Sequence, residues 1–268
     1  MTIRITLAGA TGWVGRALVA AISQSPDLRL VAATSRSQKG RDAGEAAGIA
    51  AIGLPLSGTL AEALNTPSDV VIDYTKPDSV KHHVLAALAH GRHVVIGTSG
   101  LTAEDYAKID VAAQSAGKGV LAAGNFSITA TLLRRFALEA AKYVPDVEVI
   151  DYASASKPDT PSGTGRELGE LLSAVRMKGT SKPVADLGGV RETRGGAIGS
   201  GVPVQVHSVR MPSFVLSCEA IFGAPDERLV IRHDAGSSAA PYVGGTLLAA
   251  RRVNSFVGLK RGLDHVLG

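Results

Sequence analysis

The chain is poor in cysteine, in aromatic residues and in long apolar runs, and each shortage removes a class of protein. Cys218 is the only cysteine among 268 residues, which excludes an intramolecular disulfide and any cysteine-cluster metal site and points to a reducing cytosol. No apolar run reaches the roughly 18 residues needed to cross a bilayer, and the N-terminus opens straight into a strand pattern without a basic n-region and apolar h-region. A cytoplasmic protein with no membrane partner is expected. Aromatic residues make up 4% of the chain, the basic residues are scattered, and the net charge is a mild +4, so nucleic acid is not an expected partner. Low-complexity tracts and long charge blocks are also missing, which argues against disorder. A small anionic ligand suits this balance better than a macromolecular one.

What the chain does have is glycine, 31 residues of it, set between short β-branched runs and helical patterns. That is the signature of alternating strands and helices, in a length that suits two modest domains. Ile3-Arg4-Ile5-Thr6-Leu7-Ala8 is followed at once by Gly9-Ala10-Thr11-Gly12-Trp13-Val14-Gly15 and then by helical spacing through Leu18, Val19 and Ile22. A strand, a glycine turn and a helix in this order form a dinucleotide-binding turn: glycine admits the close pyrophosphate and the helix N-terminus faces it. A purely structural turn is the alternative. The second strand, 28–34, lacks the acid that would bind the ribose hydroxyls of NAD and continues instead into Ser35-Arg36-Ser37-Gln38-Lys39-Gly40-Arg41. Hydroxyls and guanidinium forks suit a 2′-phosphate, so NADPH is the expected cofactor, with NADH possible. An ordinary solvated basic loop would read the same way.

Residues 69–74 form a buried strand leading into Thr75-Lys76-Pro77, where proline can start a helix. On that helix His82 and His83 point about 100° apart, so with His90 they are read as surface residues rather than metal ligands. Strand 93–96 ends in Gly97-Thr98-Ser99-Gly100, a small-residue loop at a strand's carboxyl end, where open α/β sheets bind ligands. A helix over 103–116 and a strand over 119–123 precede Gly124-Asn125-Phe126-Ser127, and the first domain is placed at 1–124, completed by the C-terminal segment 235–268 with a helix over 242–256. The second domain, 125–234, begins with a helix over 128–142 and a strand over 147–152.

That strand runs into Lys157-Pro158-Asp159-Thr160-Pro161-Ser162-Gly163-Thr164-Gly165, which sets a cation, an acid and a small-residue turn before a helix. A helix beginning near Ser162 leaves its first N–H groups open to a carboxylate or phosphate, with Ser162 as N-cap and Gly163 admitting a close ligand. A well-capped helix without a ligand is the alternative. Beyond helix 167–175, a glycine-rich linker over 187–196 loses all periodicity and suits a mobile loop over the ligand. The runs 202–210, 214–222 and 227–233 suggest an antiparallel meander, part of a broad sheet whose open face suits an oligomer interface.

Taken together, Gly9 to Gly15, Asp73-Tyr74-Thr75-Lys76-Pro77, Gly97-Thr98-Ser99-Gly100, Asn125-Phe126-Ser127 and Lys157 to Thr164 occur in the order and spacing of one family. Over nearly its whole length the chain resembles the 4-hydroxy-tetrahydrodipicolinate (dihydrodipicolinate) reductases of lysine biosynthesis. The resemblance implies an α/β fold: a Rossmann-like dinucleotide domain plus a smaller α+β substrate and oligomerisation domain with a mixed open sheet, assembled as a homotetramer. It implies NAD(P)H reduction of a cyclic dicarboxylate, with cofactor contacts from Gly9, Thr11, Gly12, Trp13, Val14 and Gly15, from Ser35 and Arg36, and from Tyr74, Thr75, Gly97, Thr98, Ser99, Asn125 and Phe126. Substrate contacts fall on Ser162, Gly163, Thr164, Lys157 and Tyr152, with Lys157 as the catalytic residue. No metal is implied.

One departure qualifies the match. The family carries Glu-x-His-His on the strand before the lysine, with the first histidine as proton donor, whereas this chain reads Asp151-Tyr152-Ala153-Ser154. Alanine holds no transferable proton, and a serine hydroxyl is too weak an acid for the task at neutral pH. Ala239 follows Ser237-Ser238 where the family has arginine, and Leu216-Ser217-Cys218 stands where it often has Gly-Glu-His. The expectation is an NADPH-dependent reductase whose substrate differs from the lysine precursor, with Tyr152 or Asp159 completing the proton path and His207 or His233 as a displaced acid. The rivals are the unchanged lysine-pathway activity, using Lys157 or water as acid, and a non-catalytic NADPH-binding protein.

Overall fold

The computed structural model describes residues 2–189 and 193–268. The chain divides into two compact units, one running up to Ile128 and resuming at Ser238, the other spanning Thr129–Ser237.

In the first unit, β1 (Ile3–Ala8), α1 (Trp13–Ser23), β2 (Leu28–Thr34), two short helices α2 (Ala43–Ala47) and α3 (Leu60–Leu64), β3 (Val70–Asp73), α4 (Pro77–Ala89), β4 (His93–Ile96), α5 (Ala103–Ala116) and β5 (Gly119–Ala122) alternate as the sequence pattern predicts. With β11 (Gly258–Arg261) from the C-terminal segment, the strands pair in the order β11-β5-β4-β3-β1-β2, all parallel. Strands β3 and β5 are buried at every residue, as a parallel sheet covered on both faces requires. Ile5, Leu7, Ile72, Val95 and Leu121 pack on one face with Leu18, Val19 and Leu247, while Val71, Val94, Ile96 and Val120 pack on the other with Val80, Val84 and Ile109. The C-terminal segment returns to this unit with α8 (Ala240–Arg252) and also adds the edge strand β11 (Gly258–Arg261). Four residues with two adjacent cations give too short a pattern for that strand to be read from sequence.

The second unit holds most of α6 (Ile128–Ala140), then β6 (Asp146–Ala153), α7 (Gly163–Val175), β7 (Gly196–Ile198), β8 (Val204–Arg210), β9 (Leu216–Ala224) and β10 (Glu227–Ala235). Its strand order is β10-β9-β6-β8-β7. The meander expectation therefore fails at one join: β9 and β10 form an antiparallel hairpin, but β8 runs parallel to β6, which separates it from β9. Strand β7 begins at the last residue of the stretch read as linker, and residues 190–192 of that stretch fall outside the described residues.

Along β6 burial alternates strictly. Val147, Val149, Asp151 and Ala153 are buried, whereas Glu148, Ile150 and Tyr152 are only half-buried. The buried set faces Leu133 and Ala137 of α6, Leu168 and Leu172 of α7, and Phe222 of β9. We call this the inner face of the sheet. Phe222→Ala should cost about 3–5 kcal/mol by opening a cavity there. Hydrogen exchange checks it, since the amides of β6 and β9 should lose protection while those of β1 and β3 keep theirs.

Candidate active site

In the first unit the glycine turn closes as its sequence requires. Gly9 has φ +86°, and a Cβ on it would lie 2.3 Å from the Tyr74 carbonyl oxygen, so the turn presses against the end of β3 with no room for a side chain. Gly12 donates to the Gly9 carbonyl (3.1 Å) and is the N-cap of α1, without a side-chain cap. The backbone N–H groups of Trp13, Val14 and Gly15 make no hydrogen bond among the described residues, and open amides at a helix N-terminus are what an anionic pyrophosphate fills. Thr11 Oγ1 and Ser35 Oγ lie 2.8 Å apart and fasten this turn to the end of β2. Arg16, which the sequence reading passed over, donates from Nε to the Thr11 carbonyl at 3.0 Å.

The basic loop after β2 sorts its three cations. Lys39 pairs with Glu62 at 2.9 Å and Arg41 with Gln38 at 3.3 Å, but Arg36 is exposed and makes no hydrogen bond or ion pair among the described residues. Arg36 is thus the cation open to a phosphate. These features fit a nicotinamide dinucleotide: cramped glycine, open amides and a free guanidinium.

At the carboxyl ends of β3 and β4, Thr75 and Thr98 come together on Asp73, and Gly97 fits only because a Cβ there would strike the Tyr74 ring at 2.2 Å. Tyr74 and Phe126 spend their side chains on the unit's core. The Tyr74 hydroxyl hydrogen-bonds with Thr246 (2.7 Å), its ring lies 6.1 Å from that of Phe126, and burial raises its pKa above the usual tyrosine value. Asn125 turns its Oδ1 onto the Ser127 amide at 2.8 Å, Ser99 is exposed, and Trp13, 58% exposed, meets Tyr242 edge-on. His82 and His90 are exposed as expected. His83 is not a surface residue: Nδ1 lies 2.8 Å from Asp73 Oδ2, a contact made ten residues back on the neighbouring strand.

The second unit builds its site around Asp151, which is wholly buried at the end of β6. Its carboxylate accepts from the Ser162 amide (2.8 Å), the Ser162 hydroxyl (2.5 Å) and Arg210 on β8 (2.7 Å). Arg210 also donates to the Asp159 carbonyl at 2.5 Å, so the Lys157 to Ser162 loop is fixed at two points. Gly165 lets α7 approach: a Cβ on it would lie 2.9 Å from that of Asp151. Ser162 is the N-cap, accepting from the Gly165 amide at 3.2 Å, and its one hydroxyl hydrogen already goes to Asp151. Ser162 therefore shapes the turn and has no hydrogen left for a carboxylate. The donors left open are the Gly163 and Thr164 amides, which make no hydrogen bond among the described residues. On the loop that precedes them, Lys157 Nζ lies 3.4 Å from Asp159 Oδ2 with its side chain one-third exposed.

Tyr152 does not join this group. The β6 alternation turns it to the outer face, where its hydroxyl donates to Glu219 (2.8 Å) and its ring lies between Phe214 and the Arg232 guanidinium. Burial and the Glu219 carboxylate raise its pKa. His207 also lies on that outer face, 2.7 Å from Glu148. His233 stands in register with Cys218, and Cys218 with Asp151, so it shares the inner face; burial lowers its pKa and disfavours the imidazolium form. Ala153, at the position of the expected histidine, is a fully buried methyl group.

Removing the charge at Asp151 leaves the Arg210 guanidinium, 13% exposed, without its counterion. Breaking such a pair costs about 3–5 kcal/mol, so Asp151→Asn should unfold at correspondingly lower urea concentration. Burial, then the Asp151 and Glu219 carboxylates, push the Cys218 thiol up to about 12. Iodoacetamide at pH 8 should therefore leave Cys218 unmodified until the chain is unfolded, as intact mass would show.

The family described as "Dihydrodipicolinate reductase, N-terminus" matches residues 3–126, and its C-terminal counterpart matches residues 129–267. A protein named 4-hydroxy-tetrahydrodipicolinate reductase from Desulfitobacterium hafniense is 38% identical over 267 residues, covering 99% of this chain and 98% of that protein. One of the same name from Geobacillus kaustophilus is 36% identical with both chains fully covered. A dipicolinate-bound dihydrodipicolinate reductase from Paenisporosarcina superposes with a TM-score of 0.86 at 28% identity over the full length of both chains. An amine dehydrogenase from Mycobacterium smegmatis, at 15% identity, covers this chain fully and 97% of its own length with a TM-score of 0.67, and so shares the fold. With both halves matched and relatives similar from end to end, the chain belongs to the dihydrodipicolinate reductase family of NAD(P)H-dependent oxidoreductases.

Proposed function

We propose that this chain is an NADPH-dependent reductase of a small cyclic carboxylate, and that its substrate is not, or not efficiently, the lysine precursor hydroxy-tetrahydrodipicolinate. The observation that carries the reading is the pair of open amides of Gly163 and Thr164 after a loop that bears Lys157 and is fixed by Asp151 and Arg210. Two N–H groups at a helix N-terminus hold one carboxylate, and a nearby ammonium holds a second or gives a proton. The nicotinamide, when bound, supplies the hydride for a conjugated C=N or C=C bond. Lys157 then protonates the neighbouring atom. Tyr152 is discarded from the proton path because it faces away from the loop, and Asp159 remains as the carboxylate that keeps Lys157 in place. A bound dipicolinate in the Paenisporosarcina relative supports a planar dicarboxylate as the ligand class.

NADPH is favoured over NADH by the free Arg36 guanidinium. Assembly as a homotetramer would use the outer face of the second sheet, where Val230 is half exposed beside Ile221. One buried cysteine suits a reducing cytoplasm. A specific observation favours the alternative that the substrate is the lysine precursor itself: full-length identity of 35–38% to reductases so named. The buried Ala153 methyl argues the other way, since loss of a general acid typically costs about 10² to 10⁴ in rate.

NADPH oxidation by the purified chain decides between them. We expect freshly generated hydroxy-tetrahydrodipicolinate to turn over at least about 100-fold more slowly than the best member of a panel of cyclic imines and unsaturated ring carboxylates. Turnover of the precursor at ordinary reductase rates would overturn the altered-substrate reading, and tight NADPH binding with no turnover of any compound would favour a non-catalytic protein. Arg36→Ala should raise the KM for NADPH about tenfold or more while leaving that for NADH nearly unchanged; equal loss for both would show that Arg36 does not read the 2′-phosphate.

A further inference from the structure

Asp73 ends the central strand β3 with a side chain that no solvent reaches, yet four donors converge on its carboxylate. Oδ1 accepts from the Thr75 amide (3.0 Å), the Thr75 hydroxyl (2.7 Å) and the Thr98 hydroxyl (2.7 Å), and Oδ2 lies 2.8 Å from His83 Nδ1 on α4. The Asp73 carbonyl takes the Gly97 amide at 2.9 Å, and the Thr75 amide also reaches Thr98 Oγ1 at 2.8 Å. The loop after β3, the loop after β4 and the flank of α4 are thus joined through one carboxylate. A carboxylate buried this completely is stable only while its donors stay in place. With an ionised acceptor, Nδ1 of His83 carries the hydrogen.

The strand order says which part of a dinucleotide these loops meet. A ligand laid across the carboxyl ends has its adenosine ribose at the Ser35-Arg36 loop after β2 and its pyrophosphate at the α1 N-terminus after β1. β3 and β4 lie on the other side of β1, so the remaining half, the nicotinamide riboside, falls to the loops that Asp73 and His83 hold. Neither side chain is required to touch the ligand.

We propose that Asp73 and His83 are positioning residues for the nicotinamide half of the cofactor site, setting the spacing of the Thr75 and Thr98 loops and leaving the adenosine half unaffected. This rests on the reading of the first unit as an NADPH site, and its test is binding rather than turnover. Trp13, the only tryptophan, stands exposed at the first turn of α1 and serves as the fluorescence reporter. The full chain is titrated with NADPH and with 2′-phospho-ADP-ribose, which keeps the adenosine half and lacks nicotinamide.

His83→Leu should weaken NADPH about 10-fold, the scale of one lost hydrogen bond to a charged group, while 2′-phospho-ADP-ribose binds within about 2-fold of wild type. His83→Asn, whose amide N–H can stand where Nδ1 stands, should restore most of the loss. Thr75→Val, which removes a donor from the other carboxylate oxygen, should reproduce the selective weakening without depending on the His83 variants. Unchanged NADPH binding in His83→Leu and Thr75→Val would overturn the proposal, as would parallel weakening of both ligands, which marks a general structural role. A wild-type chain that binds neither ligand would overturn the cofactor reading itself, a result distinct from both.

Discussion

A carboxylate buried at the carboxyl end of a strand is the constraint on which this structure's ligand-facing segments depend. Asp151 has no access to water and is held by Ser162 and Arg210. Taking such a charge out of water is tolerable only because hydrogen-bond donors and a guanidinium replace the solvent. The donors that meet this demand lie on the segment before α7 and on β8, so the need of one buried group dictates the path of the Lys157 to Ser162 loop. In the first unit Asp73 has the same relation to the loops after β3 and β4, with hydroxyls, an amide and an imidazole in place of the guanidinium.

The two sites divide the work of a reductase along chemical lines. The first unit offers cramped glycine, open helix amides and the unpaired guanidinium of Arg36, a set suited to phosphates. The second offers a helix N-terminus whose cap residue is already consumed by Asp151, leaving the next two amides and Lys157 as the donors that the proposed function assigns to a carboxylate-bearing ring. Among the described residues, the inner face of the second unit shows no ready acid beside that loop. Ala153 is inert, Cys218 is held protonated far above neutrality, and burial disfavours the charged form of His233. Lys157 is the remaining proton source of suitable chemistry on the loop.

Much of this was legible in the residues because it rests on local rules. The Gly9 to Gly15 turn, the Ser162 cap and the alternation of strands and helices each follow from neighbours within a few positions. Tyr152 was misplaced although the signal was present: a period of two puts it opposite Asp151, and the strand keeps that period. His83 was misread because its partner lies on another element, and Arg210 was missed because its bond to Asp151 spans 59 residues and no motif announces it. The β8 register was hidden for the same reason. A short turn at Met211-Pro212-Ser213 looks like a hairpin, but the long-range pairing of both β8 and β9 with β6 sends the chain across it.

The backbone of α7 at its first turn, after a loop shaped by Asp151, is proposed to hold a substrate carboxylate. A crystal structure of the chain with NADP⁺ and a ring dicarboxylate such as dipicolinate tests it most directly. One carboxylate should accept hydrogen bonds from the Gly163 and Thr164 amides, with Lys157 turned toward the ligand and Ser162 still bonded to Asp151. A carboxylate bound elsewhere, with those two amides left to water, would contradict it.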